Sequence, residues 1–149
     1  MDPILALGSV LALVAAASGL GLAWRARQGR ITDVADAPAL TPADVASTVS
    51  FGAEATLLQF STEHCSRCPG THRMLAAVAR SRPGVVHVEV DLTHRADLAR
   101  RFQVLQTPTT LILDRAGRVQ ARVGGTPHRA GIIAHLDDLP GSLHVTLAR

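Results

Sequence analysis

The 149-residue chain has no lysine, no asparagine and no tyrosine, and it carries three phenylalanines, one tryptophan and two cysteines. Each absence excludes a class of chemistry. Without lysine there is no amine for a Schiff base or a cofactor aldimine, and no Walker-type phosphate loop. Without asparagine there is neither an N-glycosylation sequon nor a Cys-His-Asn triad. Every one of the 15 cationic residues is arginine, and the formal charge is +3. Arg25, Arg27 and Arg30 are balanced by Asp2, Asp33 and Asp36, so the excess lies in residues 41–149. The aromatic rings of that region are Phe51, Phe60 and Phe102. A basic surface interleaved with stacking rings is missing, so a nucleic-acid partner is not supported. A hydrophobic content of 47% supplies the core of one domain of ordinary size.

What is present begins with a long apolar run. Residues 4–24, from Ile4 to Trp24, hold no charge. At ~1.5 Å per residue a helix of this length spans the ~30 Å hydrocarbon core of a bilayer. Trp24 stands where an interfacial aromatic belongs, and three arginines follow it. The expectation is a transmembrane anchor. A cleaved signal peptide is the rival, with Ala15-Ala16-Ala17 as its cleavage region, but it calls for positive charge before the apolar run, where Asp2 stands. Because Arg25, Arg27 and Arg30 lie on the C-terminal side, the positive-inside rule puts the following domain in the cytoplasm; the extracytoplasmic face is the alternative.

Residues 25–40 are polar and lack apolar periodicity, so they read as a linker, with a weak strand signal at Ile31–Val34. Thr41-Pro42-Ala43-Asp44 has the form of a helix start: a capping hydroxyl, proline at the first position and an acid three residues after the cap. A domain over residues 41–141 follows. ATLLQF at 55–60 is a short apolar run suited to a strand covered on both faces. A helix after the cysteines carries Met74, Leu75 and Val78, and VVHVEVD at 85–91 is a β-branched strand. The spacing of Leu98, Phe102 and Leu105 predicts a second helix with those three side chains on its apolar face. TTLILD at 109–114 and RVQARV at 118–123 flank Arg115-Ala116-Gly117, a hairpin signal. A last helix over 127–139 presents Ile132, Ile133 and Leu136. The tail 142–149 matches no element. Strand, helix, strand, then hairpin and helix, describe an α/β fold: a mixed sheet of four or five strands flanked by helices.

Both cysteines lie in STEHCSRCPGTH, residues 61–72. Cys65 follows a strand and is expected to open a helix, whose N-terminus carries about half a positive charge and favours a thiolate. His64 and Arg67 add to that field, and Cys68 lies one turn on, within bonding reach. These are conditions for an exposed nucleophilic thiol backed by a resolving thiol. A purely structural bridge closing so short a ring would contribute only about 2 kcal/mol. Zinc at His64, Cys65, Cys68 and His72 is the competing reading, although His72 would lie about two turns along the helix, too far for tetrahedral closure. The other histidines, and His72 without a metal, read as surface residues.

At this point the chain resembles the thioredoxin family over about residues 42–139, through LLQF, the C-x-x-C at Cys65–Cys68, and VLQTPTTLILDRAGRV. The resemblance implies a thioredoxin-like fold and thiol–disulfide exchange without a cofactor. Protein disulfides are the implied substrates, and a dithiol donor or reductase recycles the pair. It also implies a cis-proline at Thr107-Pro108 facing the dithiol, with Gly124 helping to line a groove for extended substrate. Three positions depart from the family pattern: His64 replaces the usual Trp, Ser66-Arg67 replaces Gly-Pro, and Gln59 stands where a buried acid is usual. Since glutamine cannot shuttle a proton, Glu63 or water is expected to assist Cys68. The wider alternative is a non-catalytic binding or assembly module on the same scaffold.

Overall fold

The computed structural model describes residues 3–34 and 39–139, which leaves the tail 142–149 outside the described residues. Its elements are α1 (Pro3–Arg27), β1 (Ile31–Asp33), a 3-10 helix (Pro42–Val45), β2 (Ala55–Ser61), α2 (Cys68–Arg80), β3 (Val85–Asp91), α3 (Ala96–Arg101), β4 (Thr109–Asp114), β5 (Val119–Gly124) and α4 (Arg129–Asp138). The strands form one sheet in the order β1-β5-β4-β2-β3. Only β2 and β3 run parallel, which requires the α2 crossover between them. This is the mixed five-stranded sheet flanked by helices that the alternation predicts.

The period-2 geometry of β2 sorts its side chains into two cores. Leu58 and Phe60 pack with Val88, Val90, Leu111 and Leu113, under Val45 and Leu98. Ala55 and Leu57 pack on the opposite face with Ile112, Ala121 and Val123, under Leu75 and Val78 of α2 and Ile132 and Leu136 of α4. Every residue of β2 is buried, as its unbroken apolar run requires. Phe60 is anchored further by Phe102, with ring centroids 5.3 Å apart.

Three expectations need correction. The helix containing Leu98 ends at Arg101, and Gln103 adopts a left-handed φ of 50°. Leu105 therefore leaves the apolar face and is 95% exposed in a loop. The stretch 25–40 is not wholly linker, because Ile31, Thr32 and Asp33 pair antiparallel with Val123, Arg122 and Ala121. At Thr41 the helix start is real but the helix is a single 3-10 turn: the Thr41 N–H donates to the Asp44 carboxylate at 2.8 Å, and Ala46 at φ 53° ends the turn.

α1 stands apart from both cores. Its window Leu7–Trp24 is long and apolar enough to cross a membrane, and none of it is buried within the protein.

Candidate functional site

Sheet register assembles the site. Phe60 at the end of β2 lies opposite Thr109 at the start of β4, and Thr109 lies opposite Gly124 at the end of β5. The segment leaving β2, which carries the cysteines, and the Thr107-Pro108 segment entering β4 therefore meet at one end of the sheet. There the Thr62 and Thr107 hydroxyls are 3.2 Å apart. The Thr107-Pro108 peptide bond is cis, as the resemblance implies.

α2 opens at Cys68, not at Cys65. Pro69 accounts for the position: it has no N–H and suits the first helical turn. Cys65 sits in the preceding turn, its N–H donating to Thr62 O at 3.1 Å while its own carbonyl accepts from Cys68 N–H at 3.2 Å. The positive end of the α2 dipole thus lies at the sulfurs. Cys65 and Cys68 form a disulfide with a Cα–Cα separation of 5.4 Å. Cys65 is partly exposed, whereas Cys68 is only 3% exposed.

The expected tuning residues occupy different surroundings. His64 is fully in solvent, its Nε2 3.2 Å from the Glu63 carboxylate. Arg67 is exposed and donates to the Gln28 side-chain oxygen at 3.2 Å. Gly124 has its carbonyl engaged by Gly29 N–H at 2.8 Å, and the Pro108 carbonyl accepts from Gly125 N–H at 2.8 Å. Both carbonyls are thus paired within the chain.

Beneath the disulfide lies a polar cluster that the sequence reading missed. Gln59, fully buried, donates from Nε2 to the Cys68 carbonyl at 3.2 Å and to Glu89 Oε1 at 3.3 Å. Its Oε1 accepts from His87 Nε2 at 3.1 Å. Glu89 Oε2 is 2.7 Å from His72 Nδ1, and the rings of His72 and His87 meet edge to face at 4.8 Å. Burial pulls the pKa of His87 down from 6.5 to about 4; His72 pushes the same way and Glu89 opposes. His72 and His87 are therefore not idle surface residues. The available signal was the alternation of VVHVEVD, which sends His87 and Glu89 to the α2 side of the sheet with Gln59. An open hollow of about 620 Å³ beside the disulfide is lined by Glu63, Cys65, Cys68, His72 and Glu89, among others.

The zinc alternative does not match this arrangement. His64 turns to Glu63 and His72 to Glu89, so neither converges on the cysteines. Among the described residues no group of three or more His, Cys, Asp or Glu could hold a metal ion.

The thioredoxin family model matches residues 37–138, more than half of the chain. The chain belongs to the thioredoxin family. No curated protein sequence matches it. Solved structures similar to this thioredoxin-family chain include malaria parasite thioredoxin-2, at 22% identity and a TM-score of 0.53, over 58% of this chain and 84% of that one. The exposed lipoprotein thioredoxin Etrx1 of Streptococcus pneumoniae is 15% identical with a TM-score of 0.51, over 60% and 87%. Oxidised mitochondrial thioredoxin 3 of Saccharomyces cerevisiae is 20% identical with a TM-score of 0.50, over 58% and 79%. At these identities the likeness is one of fold. Together with the Cys65–Cys68 pair, the thioredoxin assignment supports a thiol redox function.

Proposed function

We propose that the protein is a membrane-anchored thiol–disulfide oxidoreductase that reduces protein disulfides. The observation that carries this reading is the asymmetry of the bonded pair: a partly exposed Cys65 joined to a buried Cys68 at the positive end of α2. In the reduced state the Cys65 thiolate attacks a substrate disulfide, forming a Cys65–substrate bond and releasing one substrate thiolate. The Cys68 thiolate then attacks the Cys65 sulfur, closing the intramolecular disulfide and releasing the second substrate thiol. Two electrons pass to the substrate, and an external dithiol returns the pair to its reduced form. The Cys68 proton departs toward the polar hollow, where Glu63 and Glu89 stand. The uncharged, unburied stretch Leu7–Trp24 of α1 supports the anchor, and the three arginines after Trp24 support a cytoplasmic domain.

Substitution of each cysteine tests the assignment. Cys68→Ser is expected to accumulate mixed disulfides with other proteins, and Cys65→Ser to accumulate none and to lose insulin reduction. Full turnover by Cys68→Ser would sink the resolving role.

A further inference from the structure

α1 is not joined to the domain by a free tether. It ends at Arg27, and the next two residues already contact the dithiol end of the domain. Gln28 accepts from Arg67, one of the two residues between the cysteines, at 3.2 Å. Gly29 N–H donates to Gly124 O at 2.8 Å, and β1 then pairs with β5 along its edge. The Val34 N–H continues the attachment by donating to Gln120 O at 3.0 Å.

The same end of the domain carries the side chains that suit a bilayer surface. Trp24, 63% exposed, shares a hollow with Leu105, Gln106, Thr109, Arg122 and Gly124, beside the Thr107-Pro108 bond. Leu105, nearly fully exposed, projects from that loop. A tryptophan and an unpartnered leucine on one surface, followed in sequence by Arg25, Arg27 and Arg30, match the headgroup zone, where amphipathic rings and cations gather. From Trp24 to Gln28 the chain rises only about 6 Å.

We propose that the anchor holds the dithiol face against the bilayer, so that the substrates are membrane proteins whose reactive disulfide lies at headgroup level. This rests on the exchange reading above and specifies its substrate class. A surface-held dithiol meets such a disulfide by diffusion in two dimensions and in a fixed orientation. A soluble protein must instead approach a face already turned to lipid. The geometry works like a linker of near-zero length, which gives a high effective concentration at one height and little elsewhere.

The full chain in phosphatidylcholine vesicles provides the test. With Cys68→Ser, Cys65 is the single thiol and takes one fluorescent maleimide. Headgroup-attached nitroxide lipids are expected to quench it at least twofold more than they quench the same label in a variant with twelve Gly/Ser residues inserted between Arg27 and Gln28. Equal quenching overturns the proposal, whatever the activity. In the dithiol form, the insertion is expected to slow reduction of a disulfide-bearing transmembrane peptide in the same vesicles by about tenfold, while insulin reduction does not slow, because the freed face is more open to a soluble protein. An unchanged rate on the peptide, with insulin still reduced, removes the membrane-substrate inference and leaves the exchange reading standing. Reduction of neither substrate by the uninserted chain removes both.

Discussion

The Gln59 side-chain amide donates to the backbone carbonyl of Cys68 across 3.2 Å, from a position with no solvent exposure. Gln59 also accepts from His87 and donates to Glu89, so one neutral side chain ties the first residue of α2 to the outermost strand of the sheet. Gln59→Leu fits the volume but leaves buried groups unpaired. It is expected to destabilise the oxidised protein by about 1–3 kcal/mol in chemical unfolding. A change within measurement error would show that water replaces the amide at no cost.

His87 makes stability depend on pH. Folded, it titrates at about 4, lowered first by burial and then by His72, with Glu89 opposing; unfolded, it titrates near 6.5. The unfolded chain therefore binds a proton that the folded chain refuses, and stability falls as pH drops from about 6.5 to about 4. Partial solvent access limits the loss to roughly 1–2 kcal/mol. Asp44 and Asp97, held at about 2 chiefly by side-chain hydrogen bonds from Thr41 and Arg95 respectively, lose their contribution below that window. His87→Gln should flatten the slope between pH 6.5 and 4 in thermal unfolding. An undiminished slope would assign it to other groups.

Arg67 is exposed and paired with Gln28, so its field at Cys65 is screened. A cation beside a thiolate still favours the reduced form. The expected potential is about −200 to −260 mV, less reducing than thioredoxin at about −270 mV. Arg67→Gly is expected to raise the Cys65 pKa and to move the potential negative by ~15 mV, less at high salt. Glutathione equilibration measures the second quantity. No shift in either would mean the guanidinium is electrostatically idle.

Gly29 has a φ of 74°, and a Cβ there would stand 2.5 Å from the Thr126 carbonyl oxygen. Gly29→Ala should therefore loosen the junction between α1 and the sheet edge, at a cost of about 1–3 kcal/mol. Limited trypsin digestion is expected to cleave at Arg30 several-fold faster than in the parent. Unchanged cleavage and melting would show that β1 holds the junction without Gly29.

The arginines after Trp24 predict a cytoplasmic C-terminus. A C-terminal fluorescent fusion should be bright and an alkaline phosphatase fusion inactive. The opposite pair of results would move the function to disulfides of exported proteins.

Local pattern alone determined the elements whose physics is local. An uncharged run from Ile4 to Trp24 has few options besides a long apolar helix, and the apolar runs of β2 and β4 can be satisfied only in the middle of a sheet. The C-x-x-C spacing likewise brought Cys65 and Cys68 within bonding reach before any tertiary contact was known. Tertiary structure decided what depends on register and on single backbone angles. Gln59, His87 and Glu89 meet because β2 and β3 align in parallel, bringing together positions about 30 residues apart. Leu105 keeps helical spacing to Phe102, yet the left-handed turn at Gln103 sends it into solvent, which periodicity cannot register. The docking of residues 28–33 depends on an edge that exists only once β5 has paired with β4, so a polar stretch that reads as a linker becomes the piece that fixes α1 to the dithiol face.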